Sequence, residues 1–216
     1  MKWMNDRFNH SLFLLVVIYA VGIVTTLAGY ADNLMKLTAY NLLFATALLI
    51  YNAKATNNAY VLWFLLIGLS GYLIELAGIL TGLIFGEYAY GDGLGIKLFD
   101  VPLMIGVNWS VLVFASAALV DKIKIRIWMK AALAATMMVL YDFLLEPVAI
   151  RFDFWTWSGT DVPVQNYIAW WIIAFFMLLG VISRVKPLEN KIAGFVIGIQ
   201  TLFFAILIIK EGLNIF

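Results

Sequence analysis

Residues 127–149 read IWMKAALAATMMVLYDFLLEPVA, an apolar run that carries two acids, Asp142 and Glu146, near its end. Its length fits the roughly 17–25 residues a helix needs to cross a hydrocarbon core. An ionisable residue inside such a helix costs roughly 2.5–3.5 kcal/mol on insertion scales. The run therefore predicts a membrane helix whose acids face a protein interior that has a use for them. A third acid, Glu75, lies in the equally apolar run 60–85.

The rest of the chain has the same character. Of 216 residues, 64% are hydrophobic and 12% charged, and mean hydropathy is +0.97, against roughly 45–50% apolar residues in soluble domains. This composition predicts one integral membrane domain over residues 1–216, all-α and polytopic. A net charge of +1, spread along the chain, points to no nucleic-acid partner. The absence of cysteine excludes disulfides, thiolate nucleophiles and Cys-ligated metals. The single histidine, His10, precedes the first apolar run, which removes the His clusters of membrane di-iron enzymes. Chemistry without a metal or other cofactor is the expectation.

Seven apolar runs, 11–30, 34–51, 60–85, 101–120, 127–149, 165–183 and 192–209, predict a bundle of seven transmembrane helices. Lys2 and Arg7 precede the first, but its apolar core outruns the roughly 7–15 residues of a signal-peptide core, so it is expected to stay as a span. Lys2, Arg7, Lys54, Lys122, Lys124, Arg126, Lys130, Arg184, Lys186 and Lys191 fall on one side of such a bundle; Lys36, Lys97, Arg151 and Lys210 fall on the other. The positive-inside rule then puts the N-terminus in the cytoplasm and the C-terminus outside, in a bacterial or archaeal cytoplasmic membrane. Two long outer loops, 86–100 and 150–164, are rich in aromatics and glycine. Trp155 and Trp157 are expected at the headgroup level, with cover over a site as the other reading. Gly91, Gly93 and Gly95 match no nucleotide-binding fingerprint.

Counting residues inward from the outer ends places several polar side chains at a common depth, since a helical residue rises about 1.5 Å. These are Glu75 in the third span, Asn108 and Trp109 in the fourth, Asp142 and Glu146 in the fifth, Asn166 and Trp170 in the sixth, and Asn41 in the second. Convergence there would make a pocket. Asp142 and Glu146, four apart, share a helix face, and two adjacent carboxylates in low dielectric rarely both ionise. Pro147 is expected to kink or end the fifth helix at Glu146. Tyr72 shares a face with Glu75. Gly78 and Gly82, like Gly194 and Gly198, read as small surfaces for helix packing. The amides of Asn41, Asn108 and Asn166 suit interhelical bonding as well as a site, and Trp109 and Trp170 suit packing.

The order Glu75-x-x-Gly78-x-x-Thr81-Gly82-x-x-x-Gly86-x-Tyr88-x-Tyr90, then Pro102 and Trp109, Asp142-x-x-x-Glu146-Pro147, Trp155-x-Trp157 and Pro163-x-x-Asn166-x-x-x-Trp170 resembles the carotenoid biosynthesis membrane-protein family. The resemblance covers residues 60–171. It departs in the loop before Pro163, where Ser158 to Val162 lack an expected Tyr-Gly pair. It implies a hydratase that adds water across the terminal C1–C2 double bond of an acyclic carotenoid end, drawing its substrate from membrane lipid. The chemistry suits the residues. Alkene hydration needs an acid, a stabilised tertiary cation and a placed water. Glu75, Asp142 and Glu146 are the catalytic candidates, with Glu75 or Asp142 as the acid and Glu146 as the base. Tyr72, Asn108, Trp109, Tyr141, Asn166 and Trp170 are the substrate-binding candidates, the aromatics through cation–π attraction. Two other functions share these features: a proton-coupled transporter, whose acids would continue towards the cytoplasmic side, and an end-group cyclase, which loses a proton where a hydratase captures water. A retinal protein is excluded, because the last span has no lysine at its middle.

Overall fold

The computed structural model describes residues 2–214. Its helices are α1 (Lys2–Leu27), α2 (Ala31–Met35), α3 (Thr38–Asn52), α4 (Asn58–Thr81), α5 (Leu103–Val120), α6 (Ile127–Arg151), α7 (Val164–Arg184) and α8 (Ala193–Glu211). Four short strands lie in the connections: β1 (Tyr88–Tyr90), β2 (Lys97–Leu98), β3 (Val101–Pro102) and β4 (Trp155–Trp157).

Among the described residues, six helices are long and apolar enough to cross a membrane: α1 from Asp6, α4, α5, α6, α7 and α8. The second expected span divides at Lys36 and Leu37 into α2 and α3. The 15 residues of α3 rise about 22 Å, short of a hydrocarbon core of about 30 Å.

Ion pairs mark the two ends of the bundle. At one end Glu189 accepts from Lys54 and Lys122, each at 2.8 Å, and Lys186 meets Asp121 at 2.7 Å. At the other, Arg151 pairs with Asp32 at 3.0 Å and Glu211 at 3.1 Å. Apart from the short α2, successive helices therefore alternate in direction, and α3 runs opposite to α1 and α4 while packing on α1 and α5.

The centre of the bundle is α5, which packs against α3, α4, α6, α7 and α8. Two-thirds of it (67%) is buried, against 28% for α1 and α4. Small residues permit this. A Cβ on Gly106 would lie 2.6 Å from the Gly68 carbonyl oxygen, and Ser110 Oγ donates to the Phe64 carbonyl at 2.7 Å, so α4 and α5 touch backbone to backbone. The outward face of α4 exposes Leu62, Leu65, Leu69, Leu73 and Leu80, as a lipid-facing helix should.

Of the glycines expected to pack helices, Gly194 of α8 does so, since a Cβ there would lie 3.0 Å from Leu119 Cδ2 of α5, while the others serve differently. Gly82 caps α4 in the left-handed conformation at φ 65°, and a Cβ on Gly78 would meet Phe85 at 2.7 Å, so Gly78 makes room for the descending loop. Gly198 has nothing within 4 Å of its Cβ position. Pro147 does not end α6, which continues to Arg151.

Candidate active site

The two aromatic loops meet. β1 and β4 pair antiparallel with Tyr88 opposite Trp157 and Tyr90 opposite Trp155. Alternation along a strand turns these four rings to one face, and leaves Ala89 and Thr156 exposed on the other. The ribbon lies over the ends of α4 and α6, with its ring polar groups aimed at their acids.

Glu75 sits on the glycine-lined face of α4 and is fully buried. Its Oε2 accepts from Tyr88 Oη at 2.6 Å and Tyr90 Oη at 2.8 Å, and its Oε1 from Trp109 Nε1 at 3.0 Å. Gly71 lies one turn earlier, and a Cβ there would fall 2.5 Å from Trp109 Cγ. Only glycine lets that indole reach Glu75. Trp109 in turn stacks on Trp170 of α7, centroids 4.2 Å apart and planes at 20°.

Glu146 has an equivalent set of donors. Its Oε2 accepts from Trp155 Nε1 at 2.9 Å and Trp157 Nε1 at 3.1 Å, and its Oε1 from Asn166 Nδ2 at 3.2 Å. Asn166 Nδ2 also donates to Asp142 Oδ2 at 3.3 Å, so one amide bridges two acids a helical turn apart. Among the described residues this is the one hydrogen bond Asp142 receives. Outside the spans, burial and then the Glu75 carboxylate push the Tyr88 and Tyr90 hydroxyls far above the usual phenol range, which keeps both protonated as donors.

All three acids line one small chamber of about 20 Å³; a cavity needs roughly 10–15 Å³ to hold one water. Its other walls are Asn108, Asn166, Ile105 and an aromatic cage of Phe85, Tyr88, Tyr90, Trp155, Trp157 and Trp170. Beside it lies a cavity of about 360 Å³, and Ile105, Asn108 and Trp155 form the partition, lining both. The larger cavity is walled mainly by Leu, Ile, Met and Phe side chains, and its rim includes exposed Ile18, Leu37 and Tyr40 on the outer surface of the bundle. The arrangement provides an apolar bay reached from the side of the bundle, ending at a water-sized, acid-lined recess.

Most expected residues meet here, but three take other positions. Trp109 stands behind Glu75 and outside the chamber wall. Tyr141 lines the large cavity and donates to Gln200 Oε1 at 3.1 Å. Tyr72 reaches neither cavity: its hydroxyl donates to the Leu98 carbonyl at 2.6 Å. Asn41 also lies in the large cavity. Trp155 and Trp157 act as cover over the site, with both N–H groups donating to Glu146. The direct partners Tyr88 and Tyr90 stand in the quoted motif without a site role, and Tyr19 and Gln200 in the large cavity are not singled out by the sequence. Alternation in Tyr-Ala-Tyr and Trp-Thr-Trp was the available signal for the ribbon.

Comparison with known proteins gives a consistent result. A family model described as carotenoid biosynthesis protein matches residues 36–216. The bisanhydrobacterioruberin hydratase of Haloarcula japonica is 31% identical over 185 residues, covering 76% of this chain and 62% of the relative. The chain thus spans under two-thirds of that relative's length. No solved structure matches.

Proposed function

We propose that this chain, which belongs to the carotenoid biosynthesis protein family, is a hydratase that adds water to the terminal double bond of an acyclic carotenoid end. The observation that carries this reading is the water-sized chamber between Glu75, Asp142 and Glu146 at the end of an apolar cavity. A carotenoid end entering sideways from lipid would pass Ile105, Asn108 and Trp155 and bring its last alkene to the acids.

Donor placement suggests the roles. Three donors occupy the oxygens of Glu75 and three those of Glu146, whereas Asp142 receives one long bond. Asp142 is therefore assigned the transferable proton. That proton goes to the less substituted alkene carbon, the π pair forms the new C–H bond, and a tertiary cation is left on the other carbon. The ionised Glu75 and the faces of Trp170 and Tyr88 stabilise the cation; an aromatic face contributes roughly 0.5–2 kcal/mol. Water attacks the cation and gives its proton to Glu146, which returns it to Asp142 one turn away. The atoms balance as alkene plus water to tertiary alcohol, with no cofactor. A cyclase would begin identically, but a polar recess with room for one water favours capture over proton loss.

The membrane arrangement follows the charges. The end bearing Lys54, Lys122 and Lys186 faces the cytoplasm and the acids lie in the outer half, with α3 as a short seventh crossing in a bacterial or archaeal cytoplasmic membrane. Expression in bacteria that accumulate lycopene tests the activity. Pigments gaining the mass of one water per reacting end support it; unchanged pigment beside well-expressed protein, with γ-carotene and other acyclic-ended substrates also unchanged, refutes it.

A further inference from the structure

The hairpin of β2 and β3 is tighter than a connector needs to be. Leu98 pairs with Val101 and Lys97 with Pro102, so Phe99 and Asp100 make a two-residue turn, and both have left-handed backbones, at φ 49° and 64°. Residues other than glycine adopt that conformation at a cost, and the exposed Phe99 ring does not offset it through packing. Backbone strain of this kind persists where the surroundings fix it. Three contacts do so here. The Leu103 N–H donates to the Ile96 carbonyl at 3.0 Å, which joins the hairpin to the start of α5. Tyr72 Oη of α4 donates to the Leu98 carbonyl at 2.6 Å. Lys97 Nζ donates to the Tyr90 carbonyl at 2.8 Å and pairs with Asp92 Oδ1 at 2.9 Å.

These contacts tie the hairpin to each element that serves Glu75. Gly106 lies against Gly68 and Ser110 against Phe64, so α5 begins level with Gly71, roughly ten residues or about 15 Å short of the outer end of α4. The hairpin fills this step, at the height of the carboxylate. Tyr72 precedes Glu75 on one face of α4, Trp109 follows the hairpin on α5, and Tyr90 lies in β1. The Lys97 bond is the informative one. In the ribbon, the Ser158 N–H donates to the Glu87 carbonyl and the Gly91 N–H to the Phe154 carbonyl, each at 3.0 Å. Bonded and non-bonded pairs alternate along an antiparallel ladder, so the backbone groups of Tyr90 point away from β4. Its carbonyl is on the free edge of the ribbon, and Lys97 is the donor that holds it there while the Tyr90 hydroxyl reaches Glu75 Oε2 at 2.8 Å.

We propose that Lys97 and Tyr72 are positioning residues: through the hairpin they hold Tyr90 Oη on Glu75, and so fix that carboxylate where the cation of the proposed hydration forms. The inference rests on the hydratase reading for the cation but not for the linkage from Lys97 through Tyr90 to Glu75. Neither positioning residue lines the large cavity, so both act on the carboxylate and not on how the polyene binds. The ion pair with Asp92 is incidental, because the Asp92 side chain is 95% exposed and such pairs contribute little.

Two readouts on the purified full-length protein test this. A fluorotyrosine in place of Tyr90 gives a fluorine resonance that reports the surroundings of the hydroxyl without any substrate. Lys97→Met, which keeps the stem and loses the donor, and Tyr72→Phe, which loses a single oxygen, should both move the resonance towards its position in Glu75→Gln. Lys97→Arg, which keeps a donor, should restore it, and Asp92→Ala should leave it in place. In turnover, Lys97→Met should lower kcat about tenfold, the factor expected for one net hydrogen bond, with KM unchanged. In a Tyr90→Phe background it should add nothing to the loss, because both changes remove the same contact. A resonance unmoved by Lys97→Met and Tyr72→Phe, or rate losses from Lys97→Met and Tyr90→Phe that simply add, would overturn the inference and leave the hairpin as a connector. A moved resonance in protein that hydrates no carotenoid would uphold the linkage and count against the hydratase alone.

Discussion

At the residue scale the proposed chemistry depends on which oxygen receives which donor. Asp142→Asn removes the proton assigned to the alkene without changing the shape of the side chain. It should lower hydration by about 10²–10⁴-fold, the usual contribution of a general acid or base, with Glu146→Gln falling in the same range; pigment analysis at matched expression reads both. Gly71→Ala tests Glu75 indirectly. The added methyl would sit 2.5 Å from the Trp109 ring, so the indole must leave Glu75, with a stability loss of about 1–3 kcal/mol for overpacking and a loss of activity. An unaltered melting temperature and rate would show that the indole is not held as described. The acids and Asn166 were legible in the sequence because a helix rises by a constant amount per residue, so counting from the span ends gives depth. Counting gives no azimuth, which is why Tyr72, on the same span as Glu75, turned out to bond Leu98.

At the element scale the informative unit is the ribbon of β1 and β4, which holds two acids on different helices under one cover. Trp155→Phe keeps an aromatic side chain, though a smaller one, and deletes the donor to Glu146 Oε2. A hydrogen bond to a charged group is worth about 1.5–3 kcal/mol, so the variant should unfold at lower temperature and hydrate more slowly, while Thr156→Ala on the exposed face should do neither. The ribbon was not read from sequence because its paired residues are far apart in the chain, Tyr88 and Trp157 by 69 positions at one end and Tyr90 and Trp155 by 65 at the other, and a three-residue strand is too short for periodicity to stand out. The division of the second span was hidden similarly: Lys36 is the one charged residue in a mostly apolar run. At the opposite end of the bundle, bonds from Lys122 and Lys54 hold the Glu189 carboxyl down to about 2. A lowered carboxyl stabilises the fold above the ordinary value of about 4.3, and that contribution disappears as pH falls through about 2. The stability difference between wild type and Lys54→Ala/Lys122→Ala, followed by thermal unfolding in detergent, should therefore shrink on acidification across this window and with added salt. A difference independent of pH would remove the ion pairs from the account.

At the scale of the whole molecule the fold is a bundle that surrounds a large apolar cavity and a small acid-lined chamber. Its helix-rich, membrane-embedded character was legible from composition, and the alternating direction of its helices from where the basic residues fall. The large cavity was not legible, because α1 and α8 offer one polar residue each to it, Tyr19 and Gln200, in runs that otherwise read as lipid-facing. The orientation proposed here has a clean assay, since the chain contains no cysteine. A cysteine placed at Gly159 should react with a membrane-impermeant maleimide in intact cells, and one at Lys124 only after permeabilisation; the reverse pattern would invert the protein. The most direct measurement of the central claim uses purified protein, an acyclic carotenoid and water enriched in heavy oxygen. Wild type should yield a tertiary alcohol carrying one heavy oxygen per reacted end, and Asp142→Asn should yield almost none. A product without solvent oxygen, or an Asp142→Asn protein as active as wild type, would contradict it.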